Sequence, residues 1–168
     1  FKQKTAYEIM PSLVGSEMCI RDRVKDARLV IVGHGKPPRL PKDTLLFTNV
    51  APNELPRFYR SATVFVSPAT GHESFGIILL EAMATGVPIV ASDIAGYKCV
   101  MQNGKQGLFF KTGDIKDLKD KVVEILRNSE LQERFVQNGI RTAKNYSWEI
   151  VAKDIEKYYF ELLGKHSL

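Results

Sequence analysis

The stretch "GHESFGIILLE" sets Glu73 and Glu81 with seven residues between them, the second within an apolar run. A carboxylate accepts paired hydrogen bonds, so it can grip a vicinal diol such as ribose O2′ and O3′. The stretch between the two reads as a loop feeding a helix, and a helix start offers backbone amides to an anion. Two carboxylates flanking such a start could hold a sugar on each side of a diphosphate. Gly71 and Gly76 permit close approach of the backbone. The plainer alternative has Glu73 capping the helix and Glu81 paired with a nearby lysine. Spacing alone leaves both open.

Other chemically capable residues are weaker. Gly33-His34-Gly35 is a dinucleotide fingerprint without its third glycine, and reads as a turn at a strand end. His34 and His72 read as polar loop histidines rather than bases. Cys99, following a helix, reads as buried packing. Ser67 lacks the small-residue elbow of a hydrolase nucleophile. No Asp-x-Asp metal motif occurs, and the two cysteines have no metal-ligand partners, which fits a reducing compartment.

These residues must be positioned by an ordinary globular core. The chain has 168 residues, 44% hydrophobic and 26% charged, enough for one domain. No apolar run approaches the roughly 20 residues of a membrane span. The net charge of +5 suits a nucleotide, nucleic acid or anionic lipid surface. No basic run interleaved with aromatics speaks for nucleic acid.

"RLVIVG" (28–33), "LLFT" (45–48), "TVFVS" (63–67), "PIVAS" (88–92) and "GLFF" (107–110) read as strands, nearly continuous in hydrophobicity and so covered on both faces. Between them lie the short helical "PNELPRFYRSA" and "FGIILLEAMATG", apolar almost all round. A stripe of Ile115, Leu118, Val122, Ile125 and Leu126 follows a cap at Asp114. Leu131, Phe135 and Ile140 mark another helix, and Trp148 to Leu162 a last one. The Pro-rich "GKPPRLPKD" (35–43) reads as a surface connection. Alternating strands and helices predict a doubly wound parallel α/β sheet, with ligands at the carboxyl ends of its strands.

Residues 1–23 show no such period. Lys2 to Glu8 can be written AAG CAG AAG ACG GCA TAC GAG, and Leu13 to Asp22 as CTC GTG GGC TCG GAG ATG TGT ATA AGA GAC. Both resemble the fixed parts of a sequencing-library adapter, with room for an index between them. Residues 1–23 are therefore expected to be a non-native segment, and 24–168 a partial nucleotide-sugar-binding domain.

"RLVIVGHG", "NVAPNELPRFYRSATVFVSP", "GHESFGIILLEAMATGVPIVASDIAG", "NGKQGLFF", "GDIKDLKDKVVEIL" and "YSW" resemble, in order and spacing, the C-terminal domain of the GT-B glycosyltransferases of group 1. The strongest likeness is to phosphatidylinositol mannosyltransferases. The resemblance implies a Rossmann-like fold, the C-terminal half of GT-B, with strand order 3-2-1-4-5-6 and its first, middle strand missing from this chain. It implies retaining transfer of a hexose, mannose among the options, from a GDP- or UDP-linked donor to a lipid or glycan acceptor.

On the same resemblance Glu73 contacts the hexose and is the catalytic-site residue, and Glu81 binds the ribose diol. Ser74, Phe75, Gly76 and Ile77 offer amides to sugar and diphosphate, and the Val50 backbone meets the base. A lysine that helps hold guanine in the mannosyltransferases is replaced by Leu55. No metal and no separate cofactor are implied. The implied partners are the nucleotide sugar and an absent N-terminal acceptor domain. Nucleic acid is not among them. The setting is cytoplasmic, with peripheral attachment to the inner membrane face open to the intact enzyme. A fragment of this kind is expected to be inactive alone. The rival reading is a free-standing nucleotide-binding α/β module without catalysis.

Overall fold

The computed structural model describes residues 20, 22–33, 40, 42, 44–71 and 73–164. His34, Gly35, His72 and nearly all of residues 1–19 and 35–43 lie outside this set. The strands are β1 (Val30–Val32), β2 (Leu45–Phe47), β3 (Phe65–Ser67), β4 (Ile89–Ser92) and β5 (Gly107–Phe110). The helices are α1 (Leu55–Ser61), α2 (Ile77–Ala84), α3 (Ala95–Met101), α4 (Ile115–Arg127), α5 (Ser129–Lys144) and α6 (Trp148–Leu162). Every strand pairing is parallel, with β1 beside β2 in one sheet and β3-β4-β5 in order in another. Each expected strand is present, trimmed to the residues that pair. Among the described residues, the split into two sheets matches the order 3-2-1-4-5-6 with its middle strand left out.

Pleating places alternate β4 residues on opposite faces, and this builds two cores. Ile89 and Ala91 join Leu79, Met83, Tyr97, Val100 and Met101 on one side. Val90 joins Phe110, Leu118, Val122, Ile125 and Phe135 on the other. All four β4 residues are buried, as a strand covered on both faces requires.

The caps follow local chemistry. The Asp114 carboxylate accepts from the Lys116 and Asp117 amides at 3.0 Å each and starts α4. Asn128, in extended conformation, ends α4, and its side-chain oxygen accepts from the Leu131 amide at 2.9 Å to start α5.

Several sequence expectations need correction. β1 and β2 are not covered on both faces, since Val30, Val32, Leu45 and Phe47 stay exposed while Ile31 is buried. α2 is not buried all round: Leu79, Ala82 and Met83 face the core, whereas Ile77, Ile78 and Glu81 are exposed. The apolar run hides this because Ile77 and Ile78 are hydrophobic yet lie on the open face, so composition alone suggests a buried helix. The carboxylate of Glu81 therefore pays no desolvation penalty of the kind a buried helix would impose. Cys99 lies within α3 rather than after a helix, exposed, with its thiol 3.6 Å from the Ala95 carbonyl.

At the end of the adapter-like segment, Ile20 packs against the second core and the Arg23 carbonyl accepts from Arg127 at 2.7 Å. These contacts tie the end of that segment to the domain.

Candidate functional site

β3 ends at Ser67, and the buried Pro68 and Ala69 carry the chain into the loop that becomes α2. Gly76 is the residue before the helix, in a left-handed conformation with φ of 91°. A side chain there would be strained by that φ and would also press on the Tyr97 ring, 2.8 Å away. α2 has no side-chain cap at its own N-cap position. Glu73 instead reaches forward, its Oε1 accepting from the Gly76 amide at 3.2 Å.

The loop rests on the start of α3. A Cβ at Gly96 would collide with the Glu73 carbonyl oxygen and come within 2.9 Å of its carbon and 3.0 Å of the Ser74 carbon. Beside it, Tyr97 is almost wholly buried and its Oη lies 2.6 Å from Ser67 Oγ. Ser92 Oγ donates to the Ser67 carbonyl at 3.3 Å, tying the carboxyl ends of β3 and β4 together. Burial raises the Tyr97 phenol above its ordinary pKa, the nearby Glu73 charge adds to this, and the Ser67 hydrogen bond opposes it.

Glu81 has a different partner. The Tyr59 phenol, on α1, donates to Glu81 Oε2 at 2.9 Å. The Tyr59 ring packs against the first core, edge-on to Phe65 with centroids 5.1 Å apart. Burial, then the Glu81 charge and hydrogen bond, hold this phenol well above the usual tyrosine range.

Of the other residues singled out, Ser74 is exposed, and Phe75 is half-buried with its ring edge-on to Tyr146 at 5.6 Å. Ile77 is 65% exposed at the first turn of α2. Val50 is half-buried just past β2, and Leu55 is the first residue of α1. The expected plain contacts are thus half present: Glu73 does bind the amide at the helix start, but Glu81 takes a tyrosine and not a lysine. Tyr59, Gly96, Tyr97 and Tyr146 carry no local sequence signal for this role, since each acts through a residue distant in the chain. Among the described residues no cluster of three or more His, Cys, Asp or Glu could hold a metal, and no helix is long and apolar enough to cross a membrane.

The two raised phenols set an expectation for alkaline pH. A group whose folded pKa exceeds its unfolded value contributes stability that is full below the unfolded pKa, about 10 for tyrosine, and lost as pH rises through the folded value. Melting temperatures of the parent and Tyr59→Phe between pH 8 and 11 should therefore shift in the variant's favour above about pH 10. Parallel curves would show that Glu81 and burial do not hold the phenol neutral.

The profile of the family described as "Glycosyl transferases group 1" matches residues 6–142. A phosphatidyl-myo-inositol mannosyltransferase of Mycobacterium leprae is 44% identical over 100 residues, 60% of this chain and 27% of the relative. A protein of the same name from Mycobacterium tuberculosis (strain CDC 1551 / Oshkosh) is 35% identical over 154 residues, 84% of this chain and 40% of the relative. In fold, the chain resembles the sucrose-phosphate synthase of Thermosynechococcus elongatus with a TM-score of 0.80 at 22% identity, covering 94% of this chain and 43% of that one. The chain thus spans less than half the length of these relatives. With parallel α/β sheets matching those of GT-B glycosyltransferases and a profile match over most of its length, the chain belongs to the group 1 glycosyltransferase family.

Proposed function

We propose that this chain supplies the donor-binding part of a retaining glycosyltransferase that moves a hexose, mannose being the first choice, from a GDP- or UDP-linked donor to a lipid or glycan acceptor. The observation that carries this reading is the placement of the two glutamates about α2, one at its start and one on its open face. Glu73 ends at the Gly76 amide, where the helix N-terminus favours negative charge. Glu81 projects from the exposed face, its carboxylate held by Tyr59. A donor lying along this helix would set its diphosphate at the free amide of Ile77, its hexose beside Glu73 and Ser74, and its ribose at Glu81, with the Gly76 amide joining the diphosphate only once Glu73 turns from it to the hexose. Phe75 and Val50 would flank sugar and base.

In the reaction, the bond from the anomeric carbon to the diphosphate breaks, a bond to the acceptor oxygen forms, and the acceptor's proton passes to the leaving diphosphate. The leaving diphosphate gathers charge, which the amides at the start of α2 would stabilise, the Gly76 amide after Glu73 has released it. No residue of this chain is assigned as the base, and neither a metal nor a cofactor is invoked. The acceptor would be held by another part of the enzyme, and attachment of that enzyme to a membrane surface in the cytoplasm belongs to the same reading. Leu55 offers no cation to a guanine, which leaves UDP-linked donors as candidates beside GDP-mannose.

In the enzyme of full family length that carries this chain, Glu81→Ala should raise the donor KM at least tenfold, because a hydrogen bond to a charged group contributes about 1.5–3 kcal/mol. Glu73→Ala should fall mainly on kcat, since placement of the sugar governs attack geometry. Steady-state kinetics with GDP-mannose, UDP-glucose and UDP-GlcNAc checks both. Parent-like kcat and KM in both variants would make the pair structural.

A further inference from the structure

We propose that Tyr59 is the second half of the diol grip, positioning Glu81 and presenting its own oxygen as an acceptor, so that the site prefers ribonucleotides to 2′-deoxyribonucleotides. This rests on the reading of Glu81 as the pentose-binding carboxylate. Tyr59 and Glu81 stand 22 residues apart in sequence and on different helices, yet their side chains meet at 2.9 Å. A glutamate on an open helix face would otherwise sample several rotamers, and ordering such a side chain carries an entropic cost. Tyr59 can impose that order because its ring cannot swing, being packed against the first core and edge-on to Phe65.

The donor count makes the pair specific. A phenol has one proton, and here it is committed to Glu81 Oε2. Tyr59 Oη can then only accept from a further partner. The carboxylate, with two oxygens, can take more than one hydrogen bond. The pair therefore presents acceptors side by side and no free donor, which matches two adjacent hydroxyls. A pentose without its 2′-hydroxyl would leave one acceptor without a partner. A merely structural bond tying α1 to α2 would affect stability but not this discrimination.

The test is a chemical-shift titration of the 168-residue chain, which reads millimolar binding, with GDP, UDP and their 2′-deoxy forms. The parent should bind the ribonucleotides more tightly than the deoxy forms. Tyr59→Phe should weaken ribonucleotide binding about three- to tenfold, the change that one neutral hydrogen bond supplies, and weaken the deoxy forms less, so that the ribo-to-deoxy ratio falls. Glu81→Gln probes the pair from the other side and should reduce the same preference, with Tyr59→Phe adding little on top of it. Melting curves establish that each variant is folded. A Tyr59→Phe protein that keeps the parent's ribo-to-deoxy ratio overturns the inference while leaving the nucleotide site standing. A parent that binds none of the four nucleotides overturns the site itself, and the inference with it.

Discussion

Gly96→Ala should lower the melting temperature by several degrees and disable the glutamate loop. The added methyl would meet the backbone of Glu73 and Ser74, not the end of a mobile side chain. Overpacking of this kind costs about 1–3 kcal/mol. Alanine recovers about 0.5–1 kcal/mol as the better helix former. For a domain of this size, the net loss of up to about 2.5 kcal/mol corresponds to as much as about 10 °C. The larger effect is functional, because the displaced backbone carries the Glu73 side chain that reaches the Gly76 amide. A shift of about 1 Å in such a group can cost about a hundredfold in rate. Thermal melting of the variant chain, with kcat measured in the full-length enzyme, checks both parts. A variant that melts with the parent and turns over normally would show that the loop does not depend on α3 for its place.

The second large effect concerns the 168-residue chain by itself, which should transfer no sugar and bind nucleotide sugars only weakly. It spans 27% and 40% of the two mannosyltransferases it resembles. Transfer requires an acceptor held against the anomeric carbon, and the proposed site is occupied entirely with the donor. For the diphosphate, the amides at the start of α2 contribute about 0.3–2 kcal/mol per charge. Cationic side chains would each contribute about 1.5–3 kcal/mol more. The family resemblance assigns an Arg and a Lys to this task, following a strand that is not among the described residues. Without them, affinity should be lower by roughly 3–6 kcal/mol, which takes a micromolar complex into the millimolar range that a chemical-shift titration still reads. Calorimetry with GDP-mannose, UDP-glucose and UDP-GlcNAc, paired with an assay for donor hydrolysis, measures this. Micromolar affinity or turnover by the chain alone would mean that it is sufficient as it stands.

Much of the architecture was legible in the sequence because its causes are local. Short runs rich in valine, isoleucine and phenylalanine pair as strands wherever neighbouring turns allow. Asp114 starts a helix because its carboxylate reaches amides two and three residues on. The seven-residue interval between Glu73 and Glu81 follows from the chain itself, as does the family pattern around it. What each glutamate touches does not. Both ordinary alternatives, capping and pairing, were available from spacing, and choosing between them required partners contributed by other elements. Tyr59 reaches Glu81 only because α1 packs beside α2, and Gly96 supports Glu73 only because α3 begins against the loop. The open face of α2 was hidden for the same reason. Ile77, Ile78 and Leu79 are all apolar, and only the packing of the cores decides that Leu79 is buried while the two isoleucines stay exposed. Composition sets how much surface can be buried, but contacts between residues far apart in the chain decide which surface it is.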